Sequence, residues 1–114
     1  LPGRKNVVMS RNKRRISQQK DLVFTDKHPR ALLDDLRQEG FKVAILAGGS
    51  QNNTVFARED LIDEIHLTYV PQIFGTGLTL FSDSISMQLE LIDFKQLGAR
   101  QIFARYRVIR EAMA

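Results

Sequence analysis

The residues best placed to do chemistry are Gly48, Gly49 and Ser50, which close the apolar run Val43-Ala44-Ile45-Leu46-Ala47. Glycine lacks a Cβ and reaches positive φ, so the backbone can come close to a ligand while the first amides of a following helix point at it. A buried strand that ends in glycines at a helix start is built to hold a phosphate, which makes this stretch a candidate nucleotide site. The plain alternative is a tight turn between a strand and a helix, because a bare glycine pair is also a common turn signal. Ser50 reads as a phosphate or capping residue. No histidine lies near it in the sequence and no nucleophile-elbow pattern surrounds it.

The other groups capable of chemistry are fewer. Seventeen basic against thirteen acidic residues give a formal charge of +4, and Arg11, Lys13, Arg14, Arg15 and Lys20 cluster together. Such a cluster can neutralise phosphates, but it has no interleaved aromatics, no helix-turn-helix pattern and no zinc ligands. A solvated loop is its other reading. His28 precedes a proline and His66 sits on the polar side of an alternating segment; neither has a partner at metal-ligand spacing, so surface or capping roles are expected and no metal. Asp63 and Glu64 are neighbours at a strand start, and neighbours in a strand point to opposite faces, so they do not make an acid–base pair on one substrate. Asp63 is expected to cap or brace a loop. There is no cysteine, which removes disulfides, thiolate metal sites and cysteine nucleophiles.

The elements that position these residues follow an α/β plan. Residues 5–10 and 21–25 read as strands. Pro29 suits the first position of a helix, with Asp26 or His28 as its cap. Leu32, Leu33 and Leu36 then share one face, Asp34, Asp35, Arg37, Gln38 and Glu39 take the other, and Gly40 ends the helix. Residues 43–47 are apolar on both alternating faces, as in a central parallel strand covered on both sides. A short helix is expected over 53–58, and Gly75 and Gly77 read as a turn between core anchors Phe74, Leu78 and Leu80. Residues 64–70, 87–94 and 102–109 alternate with the period of half-solvated strands, the last two forming a closing hairpin or meander around Gly98. Tyr69, Tyr106, Phe94 and Phe103 read as sheet core or interface. One domain over 1–114 is expected, since no repeat or linker divides the chain. No apolar run is long enough to span a bilayer and no signal-peptide pattern opens the chain, so a cytoplasmic setting is expected.

Several segments in order resemble a known superfamily. Leu1-Pro2-Gly3-Arg4-Lys5-Asn6-Val7-Val8-Met9-Ser10-Arg11-Asn12 resembles the segment of dihydrofolate reductase-like proteins that enters the strand leading to the cofactor's adenosine ribose, and Ala47-Gly48-Gly49-Ser50 falls where those proteins carry their glycine pair. Leu61-Ile62-Asp63-Glu64-Ile65-His66-Leu67-Thr68-Tyr69-Val70-Pro71 and Ile73-Phe74-Gly75-Thr76-Gly77-Leu78-Thr79-Leu80-Phe81 are similar to the pyrimidine reductase branch of riboflavin biosynthesis. The resemblance implies an α/β domain with a mixed, mostly parallel central sheet, flanking helices and an antiparallel C-terminal hairpin, of which this chain is the C-terminal portion with the front strands missing.

The resemblance also implies a function. The expected activity is NADPH-dependent hydride transfer to a heterocyclic or ribosylamino substrate, with folate reduction as the nearest alternative and a non-catalytic nucleotide-binding module as the alternative of another class. Ser10 and Arg11 would hold the 2′-phosphate of NADPH, arginine being suited to a dianion by its planar fork. Gly48, Gly49 and Ser50, with the helix start at Asn53 and Thr54, would hold the pyrophosphate, and Ala47 would lie near the nicotinamide. No proton donor is nominated. Expected partners are a small-molecule substrate and a second copy of the chain, as a homodimer across the C-terminal strands or a strand-exchanged oligomer, because a sheet without its front strands leaves an open edge. Neither nucleic acid nor membrane is expected as a partner.

Overall fold

The computed structural model describes residues 6–9 and 22–110, and the chain divides into two compact units between Ala44 and Ile45. In the first unit β1 (Asn6–Met9) and β2 (Leu22–Thr25) pair in parallel, Asn6 opposite Leu22 and Met9 opposite Thr25. Helix α1 (Pro29–Gln38) follows. Pro29 is buried at the first helical position, where a missing N–H goes unmissed. Of the two expected caps it is His28 that serves, its Nδ1 accepting the Arg30 amide at 3.3 Å. Leu32, Leu33 and Leu36 are half-buried while Asp34, Arg37, Gln38 and Glu39 are exposed, as the amphipathic spacing requires. Asp35 departs from that division: it is half-buried and ion-paired with Lys27. The helix stops in a Schellman turn, with Gly40 at φ +98°, its amide on the Arg37 carbonyl and the Phe41 amide on the Leu36 carbonyl at 3.1 Å.

The expected parallel strand at 43–47 does not form. These residues belong to no ladder among the described residues, and Val43 and Ile45 are 79% and 70% exposed. An apolar run without strand neighbours has no partner for its amides and carbonyls, and composition alone cannot supply one. Among the described residues the strands form a parallel pair in one unit and an antiparallel trio in the other, and a mostly parallel central sheet is not seen.

The second unit holds α2 (Ser50–Arg58), β3 (Glu64–Tyr69), β4 (Leu89–Leu97) and β5 (Gln101–Val108). The three strands form an antiparallel sheet in the order β3-β5-β4, so the closing hairpin expected around Gly98 is present. Strand β4 runs on to Leu97, further than its expected end at 94, because Lys95, Gln96 and Leu97 find partners in Phe103, Ile102 and Gln101. A bulge between Leu91 and Asp93 re-phases it. Facing pairs Ile65–Tyr106, Leu67–Ala104 and Tyr69–Ile102 put one face of the sheet in apolar hands. Phe56 in α2 and Ala104 and Val108 in β5 are the buried apolar side chains.

Helix α2 also ends in a Schellman turn: Asp60 at φ 56° gives its amide to the Ala57 carbonyl, and Leu61 gives its own to Phe56 at 3.0 Å. Arg110 holds that turn from the far end of the chain, with Nε on the Asp60 carboxylate at 3.0 Å and one terminal nitrogen on the carbonyls of Asp60 and Ile62. Its other terminal nitrogen reaches the Asp63 carboxylate at 3.1 Å, and the Asp63 carbonyl takes the Val108 amide. Asp63 thus braces a loop, as its position predicts. Phe74, Leu78 and Leu80 are not core anchors. They are 76%, 100% and 45% exposed within an irregular stretch whose bend at Gly75 has φ +81°. No helix among the described residues is long and apolar enough to cross a membrane.

Candidate nucleotide site

Six of the eight residues expected to bind a cofactor, Ala47, Gly48, Gly49, Ser50, Asn53 and Thr54, lie close together near the start of the second unit. Ser10 and Arg11, with the basic cluster after them, fall outside the described residues. Helix α2 begins at Ser50 and not at 53, so Asn53 and Thr54 sit one turn inside it. Gly49 is the N-cap, extended at φ −75° and ψ −164°, and the bond from the Asn53 amide to its carbonyl at 2.9 Å opens the helix. Positive φ belongs to Gly48 alone of the pair, at +114°, and the peptide that joins the two is cis.

The electrostatic character of this helix start follows from what is missing at the cap. The first amides of any helix have no intrahelical acceptor, and serine, threonine or aspartate at the N-cap normally supplies one. Gly49 makes no side-chain cap bond, and no acidic side chain occupies the first turn. The partial positive charge of the helix end is therefore not offset by a side chain of the cap or the first turn. Space is available too, since a Cβ placed on Gly48 or Gly49 would meet no heavy atom within 4 Å.

Asn53 and Thr54 do something the sequence did not announce. Asn53 Nδ2 donates to the Leu80 carbonyl at 2.9 Å, and the Thr54 hydroxyl, 3% exposed, engages Ser82 as well as the Ser50 carbonyl. One turn on, Arg58 pairs with Asp83. The Ser84 amide and then Arg58 hold the Asp83 carboxyl below its usual range. Ser82 is thus a structural partner of the candidate site that sequence reading missed, because the link spans 28 positions and carries no motif.

The other singled-out groups gather on the opposite face of the antiparallel sheet. His66 Nε2 meets the Glu64 carboxylate at 3.0 Å and stacks edge-on to Phe103, while Arg105 reaches Asp93 at 3.2 Å and Arg107 faces Glu90. The bond from His66, followed by the charge of Arg105, keeps the Glu64 carboxyl below its usual range. The first is a pair within β3 and the other two cross to β4; all are exposed and worth little each. Among the described residues no group of three or more histidine, cysteine or acidic side chains could hold a metal ion. On the apolar face the Tyr69 and Tyr106 hydroxyls lie 3.2 Å apart, and that bond pushes the Tyr106 phenol above its usual range. An open cavity of about 320 Å³ lies at the other end of α2, lined by Arg58, Asp60 and Ser84 among others, and shares no residue with the glycine site.

The fold has counterparts among known proteins. The crystal structure of a protein named for riboflavin biosynthesis from Shewanella sp. PV-4 superposes with a TM-score of 0.82 at 23% identity, over 95% of this chain and 62% of that one. A pyrimidine reductase-like protein from Corynebacterium diphtheriae gives 0.65 at 25% identity, over 79% of this chain and 39% of its own. Acinetobacter baumannii RibD gives 0.60 at 17% identity, over 92% and 38%. These likenesses define the fold class. The family is fixed by the sequence: the model of the RibD C-terminal domain matches residues 3–103, and the chain belongs to that family. YwjB of Bacillus subtilis strain 168, whose function is uncharacterised, is 33% identical over 82 residues, which are 71% of this chain and 47% of YwjB. The chain spans about half the length of that relative.

Proposed function

We propose that this chain is the cofactor-binding part of an NADPH-dependent reductase of the riboflavin-biosynthesis pyrimidine reductase type, acting on 5-amino-6-(5-phosphoribosylamino)uracil or a similar ribosylamino heterocycle. The observation that carries the reading is the uncapped start of α2 behind Gly48 and Gly49, found in a chain of the RibD C-terminal domain family. The amides of Ser50, Gln51 and Asn52 would receive the pyrophosphate, a dianion matching the positive end of the helix. Ser10 and Arg11 would take the 2′-phosphate, Ala47 would border the nicotinamide, and Asn53 and Thr54 would support the helix turn that does the binding. The nicotinamide, when bound, supplies the hydride; the protein's part is to bind and orient.

Arg11 tests the choice of cofactor. Arg11→Ala is expected to weaken NADPH by about 1.5–3 kcal/mol, the scale of a hydrogen bond to a charged group, and to leave NADH unchanged in a calorimetric titration. Equal losses for both dinucleotides would remove Arg11 from this role.

The same reading includes a homodimer across the C-terminal strands, or a strand-exchanged oligomer. Leu91, Phe94, Ile102 and Tyr69 share the apolar side of the β3-β5-β4 register, and Phe94 is 66% exposed. A contiguous apolar surface of this kind is what a second copy covers. Light scattering coupled to size exclusion at low micromolar concentration is expected to give at least twice the chain mass, and a well-folded monomer of 13.0 kDa would exclude the assembly.

A further inference from the structure

We propose that Thr54 is a positioning residue whose buried hydroxyl joins the segment ending at Ser82 to the first turns of α2, so that this segment and the phosphate-facing amides order together. The proposal rests on the nucleotide-site reading above. The geometry of the joint is complete. A threonine hydroxyl has one hydrogen and two lone pairs. The hydrogen goes to the Ser50 carbonyl at 2.8 Å, and the lone pairs accept the Ser82 amide at 2.8 Å and, at 3.0 Å, the Ser82 hydroxyl. The hydroxyl group is therefore fully used, and Thr54 is the buried polar residue of the described structure. Such a group is not placed to touch a ligand. It acts through what it holds.

What it holds is the helix start. Its helix-side bond to the Ser50 carbonyl and the Asn53 bond to Leu80 both start within the first five residues of α2. A helix of nine residues is too short to keep its end formed by propensity alone, and its packing contacts must do so. If the first turn frays, the amides that would meet a phosphate are competent only for the fraction of time the turn is closed, and apparent affinity falls by that fraction. Coupling is reciprocal: a ligand that closes the turn must also protect the segment tied to it.

Amide hydrogen exchange and calorimetry on the same protein test this, with NADPH as the probe. Saturating NADPH is expected to slow exchange at Ser82 in the wild type. Thr54→Val is expected to speed Ser82 exchange without ligand and to weaken NADPH about tenfold, whereas Thr54→Ser, which keeps the hydroxyl, stays within about threefold of wild type. A Thr54→Val protein that binds NADPH normally, or a Thr54→Ser protein that loses as much as the valine variant, overturns the joint. Should the valine variant not fold, the wild type still decides: NADPH that binds and leaves Ser82 exchange unchanged overturns the coupling alone. A wild type that does not bind NADPH overturns the site reading, and the proposal with it.

Discussion

Gly49→Val is expected to abolish binding of NADPH, a loss of at least about 100-fold or ~2.7 kcal/mol, while the far-ultraviolet circular dichroism of the protein stays that of the wild type. The separation is possible because of where the strain lies. Gly49 is extended, a conformation any residue adopts, and a Cβ there meets nothing within 4 Å. Valine is a poorer N-cap than glycine, by about 1 kcal/mol at most. That is the whole expected cost to the fold. The branched side chain would instead fill the space in front of the Ser50, Gln51 and Asn52 amides, where a phosphate must come to within hydrogen-bond distance. Gly48→Ala is the wrong test, because φ +114° would strain any other residue whatever occupied the space. Calorimetry on Gly49→Val decides the matter, and unchanged affinity would return the glycine pair to being a turn.

The helix start behind the glycine pair is legible because its signal is local: small residues and the polar residues that open the helix sit within ten positions. The same holds for α1, whose proline, histidine cap, leucine spacing and terminal glycine each act on neighbours in sequence. The alternation in β3 and β5 was legible for the same reason, the period of two being a property of one strand. Strand formation at 43–47 is not such a property. Pairing depends on neighbours that the segment does not encode, and an apolar composition looks the same whether or not those neighbours are present. Phe74, Leu78 and Leu80 misled in a similar way, since apolar residues flanking glycines look alike whether or not a core receives them.

Long-range side-chain bonds were the other blind spot. The position of Thr54 after the glycines points to the site, but its partner Ser82 lies in the run Ser82-Asp83-Ser84-Ile85-Ser86, which carries no motif that names a partner. Arg110 gave no sign that it would tie down the loop between α2 and β3. In both cases the residue type permits many partners, and only the fold selects one. The early start of α2 has a related cause. Gln51 is a good helix former, and the Thr54 hydroxyl and the Asn52 side-chain amide each bond back four residues, to the Ser50 and Gly48 carbonyls, within that first turn.

Phe56→Ala is expected to cost the second unit about 3–5 kcal/mol, a large share of the 5–15 kcal/mol by which a small domain is stable. Phe56 is 7% exposed, and among the described residues of its unit the other buried apolar side chains are an alanine and a valine, so it is the largest buried apolar side chain there. It also occupies the last turn of α2, where its carbonyl receives the Leu61 amide and the Schellman turn begins. Loss of the ring should therefore loosen the helix at one end and the loop to β3 at the other. Leu78→Ala, at a fully exposed position, is the matched control and should stay within about 0.5 kcal/mol of wild type. Urea unfolding followed by circular dichroism reads both, as a shift in midpoint at constant slope. Because the amides proposed to receive the phosphate belong to the same helix, Phe56→Ala should also weaken NADPH binding with Gly48, Gly49 and Ser50 intact. A loss below about 1 kcal/mol would mean that α2 is held by its polar joints to Leu80, Ser82 and Asp83 and not by its apolar face.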